Sequence, residues 1–208
     1  MYAWFTHDSP ARGPPGTHTA PIERIATTPP ARPVAAGLAP ARGRILWSGT
    51  DITRLAPGAR PLSILFQDQN LFPHLTVEQN IGLGLDPKLR LGPAEHARIE
   101  AALAQVGLDG MARRKPAALS GGQQSRVALA RTLLRDRPLL LLDEPFAALG
   151  PALKSEMLGL VAGIASAQRT TVLMVSHDPA DARSLCPETI LVAEGRALLP
   201  QPTAPLLD

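Results

Sequence analysis

The chain has 208 residues, of which 45% are hydrophobic, so it is long enough for one domain with a substantial core. Its formal net charge of only +3 is too small to indicate a nucleic-acid-binding protein. A single cysteine excludes an internal disulfide, and the sequence contains neither a membrane-spanning apolar run nor an N-terminal secretory signal. The composition therefore predicts a cytosolic protein that reaches a membrane only through a partner.

The N-terminal segment, residues 1–37, differs in composition and hydrophobic pattern from the rest of the chain. It contains two proline pairs and no sustained hydrophobic periodicity, which predicts a disordered or linker segment. A short strand at Tyr2–Phe5 is compatible with its residues. The pattern changes at Arg44–Trp47, which predicts a strand. We therefore expect the folded domain to occupy residues 38–208.

The middle of the chain predicts one strand and two helices. Ser63–Gln67 has the residues of a strand that ends on a polar side chain. Thr76 is a suitable N-cap for a helix that begins at Val77. Pro93–Val106 predicts a second helix, since its apolar residues recur on one face at Ile99, Ala102, Leu103 and Val106.

A glycine pair opens the next predicted helix. Leu119-Ser120-Gly121-Gly122-Gln123 precedes the helical pattern of Gln124–Arg135. Adjacent glycines allow several backbone N–H groups to surround an anion, and a helix N-terminus favours phosphate. The competing interpretation is an ordinary turn that caps a core helix.

Two acids follow the apolar run Leu139–Leu142, which has the composition of a strand buried on both faces. Ligands of open α/β sheets bind beyond the carboxyl ends of such strands. A metal ion on Asp143 and a water oriented by Glu144 would explain these carboxylates. A pair that caps a helix is the alternative. Thr171–Val175 predicts another strand, which ends at Ser176-His177-Asp178.

These motifs occur in the order seen in ATP-binding subunits of ABC transporters, and the chain resembles that family over about residues 38–196. The resemblance implies an α/β, P-loop NTPase-type ABC ATPase domain with a helical subdomain at about 72–135. It also implies ATP and Mg²⁺ as cofactors, and ATP hydrolysis coupled to transport.

The resemblance further implies the roles of individual residues. The catalytic residues would be Glu144, which polarises the attacking water, His177, which contacts the γ-phosphate, and Gln67. The metal would be held by Asp143 and Gln67. The nucleotide of the opposite subunit in a head-to-tail dimer would be bound by Ser120, Gly121, Gly122 and Gln123. Gly150 stands where the family usually has the aspartate that communicates across this dimer.

The partners implied by the family are transmembrane permease subunits, a periplasmic solute-binding protein and a second ATP-binding subunit. No nucleic acid is implied. The surface around Phe72–Asn80 would receive a permease helix, although a plain core contact of Leu71 and Phe72 is the alternative. The protein would then be peripheral, on the cytoplasmic side of the bacterial inner membrane. Residues 65–85 and 146–157 are similar to ATP-binding subunits of thiamine importers, with importers of iron, sulfate, polyamine or molybdate as competitors.

One family motif is missing from the sequence. A P-loop requires Gly-x-x-x-x-Gly-Lys-[Ser/Thr] to hold the β- and γ-phosphates. Family spacing would put its lysine near Thr27, but the only lysines are Lys88, Lys115 and Lys154. Prolines in this region also remove backbone donors. The first βα unit is therefore expected to be incomplete.

Two explanations fit this gap. The N-terminus is mistranslated upstream of about Gly37 in an otherwise normal gene, or the chain is a non-hydrolysing interaction subunit that completes a partner's site. Retention of both Asp143 and Glu144 favours the first explanation.

Overall fold

The computed structural model describes residues 2–6, for which only the backbone is considered, and residues 43–68, 70–193 and 196–207. The strands are β1 Tyr2–Thr6, β2 Leu46–Trp47, β3 Thr50–Asp51, β4 Leu62–Phe66, β5 Leu139–Asp143, β6 Thr171–Ser176, β7 Glu188–Ala193, β8 Arg196–Ala197 and β9 Gln201–Pro202. The α-helices are α1 Val77–Gly82, α2 Pro93–Gln105, α3 Gly121–Leu133, α4 Pro151–Gln168, α5 Pro179–Leu185 and α6 Thr203–Leu207. The alternation of strands and helices confirms the predicted α/β class.

Seven of the described strands form one sheet in the order β4-β5-β6-β1-β7-β8, with β9 beside β7. Strands β4, β5 and β6 are parallel, and their register aligns Phe66 with Asp143 and Asp143 with Val175. Their carboxyl ends therefore lie at one edge of the sheet, which we call the C-terminal edge. Ligands of such sheets bind at this edge.

Strand β1 lies between β6 and β7 and is antiparallel to both. Tyr2 is opposite Ser176 and Thr6 is opposite Val172, so β1 begins at the C-terminal edge and ends at the other edge. The short strand compatible with Tyr2–Phe5 is therefore present, and Tyr2–Thr6 differs from the disorder predicted for 1–37. The remainder of that segment lies outside the described residues, and its disorder stays a prediction.

Strand residues alternate between two apolar clusters, as the two-residue period of a strand requires. One cluster combines Leu140, Leu142, Val172 and Met174 with residues of α3 and α4. The other, on the opposite face, contains the buried side chains of Leu62, Leu141 and Leu173. The continuous apolar runs of β5 and β6 are thus buried on both faces, as the sequence predicts.

The predicted strand at Arg44–Trp47 is shorter than expected. Only Leu46–Trp47 is a strand, and it pairs with Thr50–Asp51 in a hairpin apart from the main sheet. Ser48 and Gly49 have φ values of 46° and 79°, which suit the two-residue turn of such a hairpin.

The start of α1 and the end of α2 coincide with capping residues. Thr76 Oγ1 accepts from the N–H of Gln79 at 3.2 Å, and the N–H of Thr76 donates to Gln79 Oε1 at 2.9 Å. This capping box confirms the predicted start of α1. Helix α2 ends before Gly107, whose φ of 66° favours glycine. None of the helices in the described ranges is long and apolar enough to cross a membrane.

Candidate active site

Glu144 and His177 follow neighbouring strands and are in contact. Glu144 comes directly after β5 with a φ of 46°, a left-handed conformation that costs a non-glycine residue about 1–2 kcal/mol. Its N–H donates to the Val175 carbonyl at 3.0 Å, which fixes this kink against β6. The Glu144 Oε2 atom then lies 3.2 Å from His177 Nδ1. The side chain of Glu144 is 24% exposed and that of His177 68%, so the histidine is open to a ligand.

Asp143 and Gln67 lie at the same edge, on adjacent parallel strands. Asp143 is half-buried at the end of β5, and Gln67 is exposed directly after β4. In the described part of the chain, no three His, Cys, Asp or Glu side chains are grouped so that they could hold a metal. Mg²⁺, however, takes one or two carboxylates and completes its shell with phosphate and water. The two residues therefore suit magnesium that arrives with a phosphate ligand.

The Ser120–Gln123 segment caps α3 and leaves its first turn open on one side. The N–H of Ser120 donates to Gln123 Oε1 at 3.0 Å, and Ser120 Oγ accepts from the N–H of Gln123 at 3.3 Å. A Cβ built on Gly121 would meet no atom within 4 Å, whereas one on Gly122 would lie 2.6 Å from Leu153 Cδ2. A side chain at position 122 would therefore require Leu153 of α4 to move. The segment thus caps α3, as the alternative interpretation predicts, and this cap leaves Gly121 open to a ligand.

Strand β1 ends away from the C-terminal edge, where a phosphate loop would have to begin. A phosphate loop joins the carboxyl end of a strand to a helix beside the nucleotide. The chain leaves β1 at Thr6, opposite Val172, roughly 14 Å from the C-terminal edge at the usual rise per strand residue. Of the three lysines, Lys154 is paired with two carboxylates, and Lys88 and Lys115 are exposed in the helical region. The described residues therefore do not form an ATP phosphate cradle.

A charged cluster beside His177 was not predicted from the sequence. Lys154 on α4 pairs with Asp178 and Asp181, and all three line a cavity of about 210 Å³ together with Glu144 and His177. The sequence carries only a weak signal for this cluster. Two acids follow the histidine at a spacing of three residues, and the preceding helix carries Lys154, one of three lysines in the chain. Nothing in the sequence alone indicates that they meet.

The segment predicted to receive a permease helix is only partly exposed. Phe72 is 46% exposed, and Pro73 and His74 are also exposed. Val77 and Asn80 are fully buried, so the prediction is wrong to include them in the contact surface. Gln79 is exposed as well, and we call the continuous exposed part, Phe72–His74, the docking loop after this prediction.

Asn80 instead holds the docking loop in place. Its Oδ1 accepts from the N–H of Phe72 at 2.8 Å, and its Nδ2 contacts the carbonyl oxygens of Thr76 and Phe72 at 2.9 and 3.1 Å. We expect Asn80→Ala to lower the free energy of unfolding by about 2–3 kcal/mol, because buried backbone groups lose their partners. Urea unfolding measures this. The exposed amide Gln105 is the control, and an equal effect of Gln105→Ala would contradict the role of Asn80.

The parallel strands that end at Asp143 and Ser176, with the glycine pair that opens α3, have the architecture of an ABC-class ATPase domain. A family profile described as ABC transporter matches residues 31–147. The chain therefore belongs to the ABC transporter family, and by family it is an ATPase coupled to transport. The family and fold implied by the sequence motifs are confirmed.

The similar proteins have one description in common. The chain is 64% identical to the thiamine import ATP-binding protein ThiQ of Cereibacter sphaeroides over 173 residues, which are 83% of this chain and 75% of that protein. It is 61% identical to the protein of that name from a Ruegeria species over 80% of this chain and 72% of the relative. The corresponding protein of Salmonella typhimurium is 52% identical over 78% of this chain and 69% of the relative.

Proposed function

We propose that the chain is the ATP-binding subunit of an importer that takes up thiamine. The observation that carries this proposal is the 52–64% identity to three relatives that have thiamine import in their names. Importers of iron, sulfate, polyamine or molybdate are the competing assignment. The ATP-binding subunit does not itself handle the cargo, so sequence likeness carries the choice.

The C-terminal edge supports roles for the catalytic residues. Glu144 is largely covered and its carboxylate is directed by the ring of His177, so it suits a base that orients a water molecule and accepts its proton. His177 is open enough to reach a γ-phosphate. Asp143 with Gln67 would hold Mg²⁺, which supplies positive charge against the phosphate oxygens when bound.

The Ser120–Gln123 segment suits the nucleotide of a second subunit in a head-to-tail dimer. Gly121 is exposed at the first turn of α3, where backbone N–H groups and the helix dipole favour phosphate. The described residues would therefore supply a phosphate nest to a partner but no cradle of their own. A dimer of two such chains would have two nests facing no cradle.

The docking loop suits a helix of a transmembrane permease at the cytoplasmic side of the bacterial inner membrane. Phe72 presents an apolar ring beside the exposed Pro73 and His74. The permease subunits would connect the chain to a periplasmic solute-binding protein. The chain is then a peripheral membrane protein, held at the membrane by its partner.

Co-expression with a permease tests this proposal. We expect the chain to be recovered in washed membranes with a thiamine permease, but not with a polyamine permease or alone. Phe72→Asp is expected to lower recovery about tenfold or more, since a charge placed in an apolar contact costs at least 1–3 kcal/mol. Leu199→Asp is the control, because Leu199 is 82% exposed and lies outside the docking loop. Equal recovery without a permease, or with only the polyamine permease, would contradict the proposal.

A further inference from the structure

Lys154 joins α4 to the segment that carries His177. Its Nζ atom lies 2.8 Å from Asp178 Oδ2 and 2.6 Å from Asp181 Oδ1. Asp178 is the N-cap of α5, where its Oδ1 accepts from the N–H of Ala180 at 2.9 Å. Asp181 accepts a short hydrogen bond from Ser176 Oγ. One lysine therefore holds two carboxylates that follow the histidine, one at the N-cap of α5 and one in its first turn.

Most of this cluster is covered, although the side chain of Asp178 is 42% exposed. The side chains of Lys154 and Asp181 are only 19% and 8% exposed, and Ser176 is 4% exposed. Burial by itself opposes the charge of Lys154, but the hydrogen bonds to Asp178 and Asp181 outweigh it and raise the pKa of the lysine. The hydrogen bond from Lys154 lowers the pKa of Asp178. Removing the lysine would leave two carboxylates facing each other without a cation, one of them buried.

His177 stands between two residues that this cluster holds. Ser176 Oγ accepts from the N–H of Asp178 at 3.1 Å while it donates to Asp181. The backbone on each side of His177 is therefore fixed, and the ring is brought to 3.2 Å from Glu144. The hydrogen bonds of Ser176 with Asp178 and Asp181 do not involve the ring of His177. The cluster sets the direction of the ring without occupying it.

The same turn of α4 also contacts the phosphate nest. Leu153, the neighbour of Lys154, occupies the space that a side chain at position 122 would need. Its Cδ2 atom would lie 2.6 Å from a Cβ on Gly122. Consecutive residues of α4 thus contact the nest on one side and the His177 segment on the other. Gly150, just before this helix, has no side chain that could make such a link.

We propose that Lys154 is a positioning residue for His177, and that the Leu153–Lys154 step of α4 couples the nest to this histidine. The proposal rests on the role assigned to His177 under the proposed function. Lys154 pairs with Asp178 and Asp181, and it acts on the histidine through these carboxylates and Ser176. The coupling requires two contacts, Gly122 with Leu153 and Lys154 with the two carboxylates, and each can be altered separately.

The test uses the full chain and the NMR signals of its histidine rings, with His177→Gln to identify the signal of interest. In Lys154→Met we expect the His177 signal to move most of the way to that of an unstructured histidine, while the methyl signals of Leu141 and Leu173 stay in place. Lys154→Arg should retain the original His177 signal, because it keeps a cation in reach of both carboxylates. Lys115→Met, at an exposed lysine, is the control.

An unchanged His177 signal in Lys154→Met, or loss of the signal in Lys154→Arg as well, would overturn the positioning role. If Lys154→Met does not fold, Asp178→Asn is used instead, because it keeps the capping oxygen and weakens the pair with Lys154. It should displace the His177 signal equally, and no displacement would overturn the positioning role.

The coupling is tested with Gly122→Ala. This substitution should displace the His177 signal in the original chain but not in Lys154→Met, and equal displacement in both would overturn the coupling. No nucleotide or permease takes part, so the outcome is independent of whether the transport function is correct.

Discussion

Replacing residues 1–37 by a segment that carries Gly-x-x-x-x-Gly-Lys-[Ser/Thr] is expected to raise the affinity for ATP from weaker than about millimolar to about micromolar. The chain has no lysine before Lys88, and β1 leaves the sheet at the edge away from Glu144 and His177. A phosphate cradle contributes several charge-assisted hydrogen bonds, each worth roughly 1.5–3 kcal/mol. Losing three of them costs about 5–9 kcal/mol, or about three to six orders of magnitude in affinity. A micromolar site would thus become weaker than millimolar.

Titration with a fluorescent ATP analogue measures this difference. The matched control is the same replacement segment with its P-loop lysine changed to alanine, which should fall back towards the affinity of the original chain. Micromolar binding by the original chain would refute the argument, since it would mean that residues 1–37 build a phosphate site of another kind. Translating the gene upstream of codon 37 in its other reading frames would show whether the missing motif is encoded there.

The sequence predicts the parallel strands and their ends because each of these features is local. The apolar runs at Leu139–Leu142 and Thr171–Val175 require burial on both faces, and the polar residues that follow mark the C-terminal edge. Thr76 and Gln79 specify the start of α1 through a capping box that is readable from four residues. The local patterns thus place Glu144 and His177 after strands, and the family resemblance assigns both to one site.

The features that the sequence does not predict depend on tertiary contacts or on the direction of a strand in the sheet. A five-residue strand carries no signal for its orientation, so the antiparallel course of Tyr2–Thr6 is decided by the strands that flank it. Asn80 is a polar residue in a polar segment, a pattern that predicts exposure. Its side-chain amide is instead buried and forms hydrogen bonds with backbone groups of the docking loop and of Thr76. Lys154 meets its carboxylates from another helix, more than twenty residues away.

Once the nucleotide cradle is supplied in this way, we expect Glu144→Gln to slow ATP hydrolysis by at least about a hundredfold, the usual scale for loss of a positioned acid–base group. The amide keeps the size of the side chain and its position near His177 but cannot accept a proton from water. ATP binding should persist, so the substituted protein should accumulate as a nucleotide-bound dimer. Single-turnover hydrolysis and size-exclusion chromatography with ATP measure the two effects. Glu100→Gln, at an exposed glutamate of α2, is the control. Near-normal turnover in Glu144→Gln would remove Glu144 from the catalytic role, and the kink that holds it against β6 would then be a feature of the strand end alone.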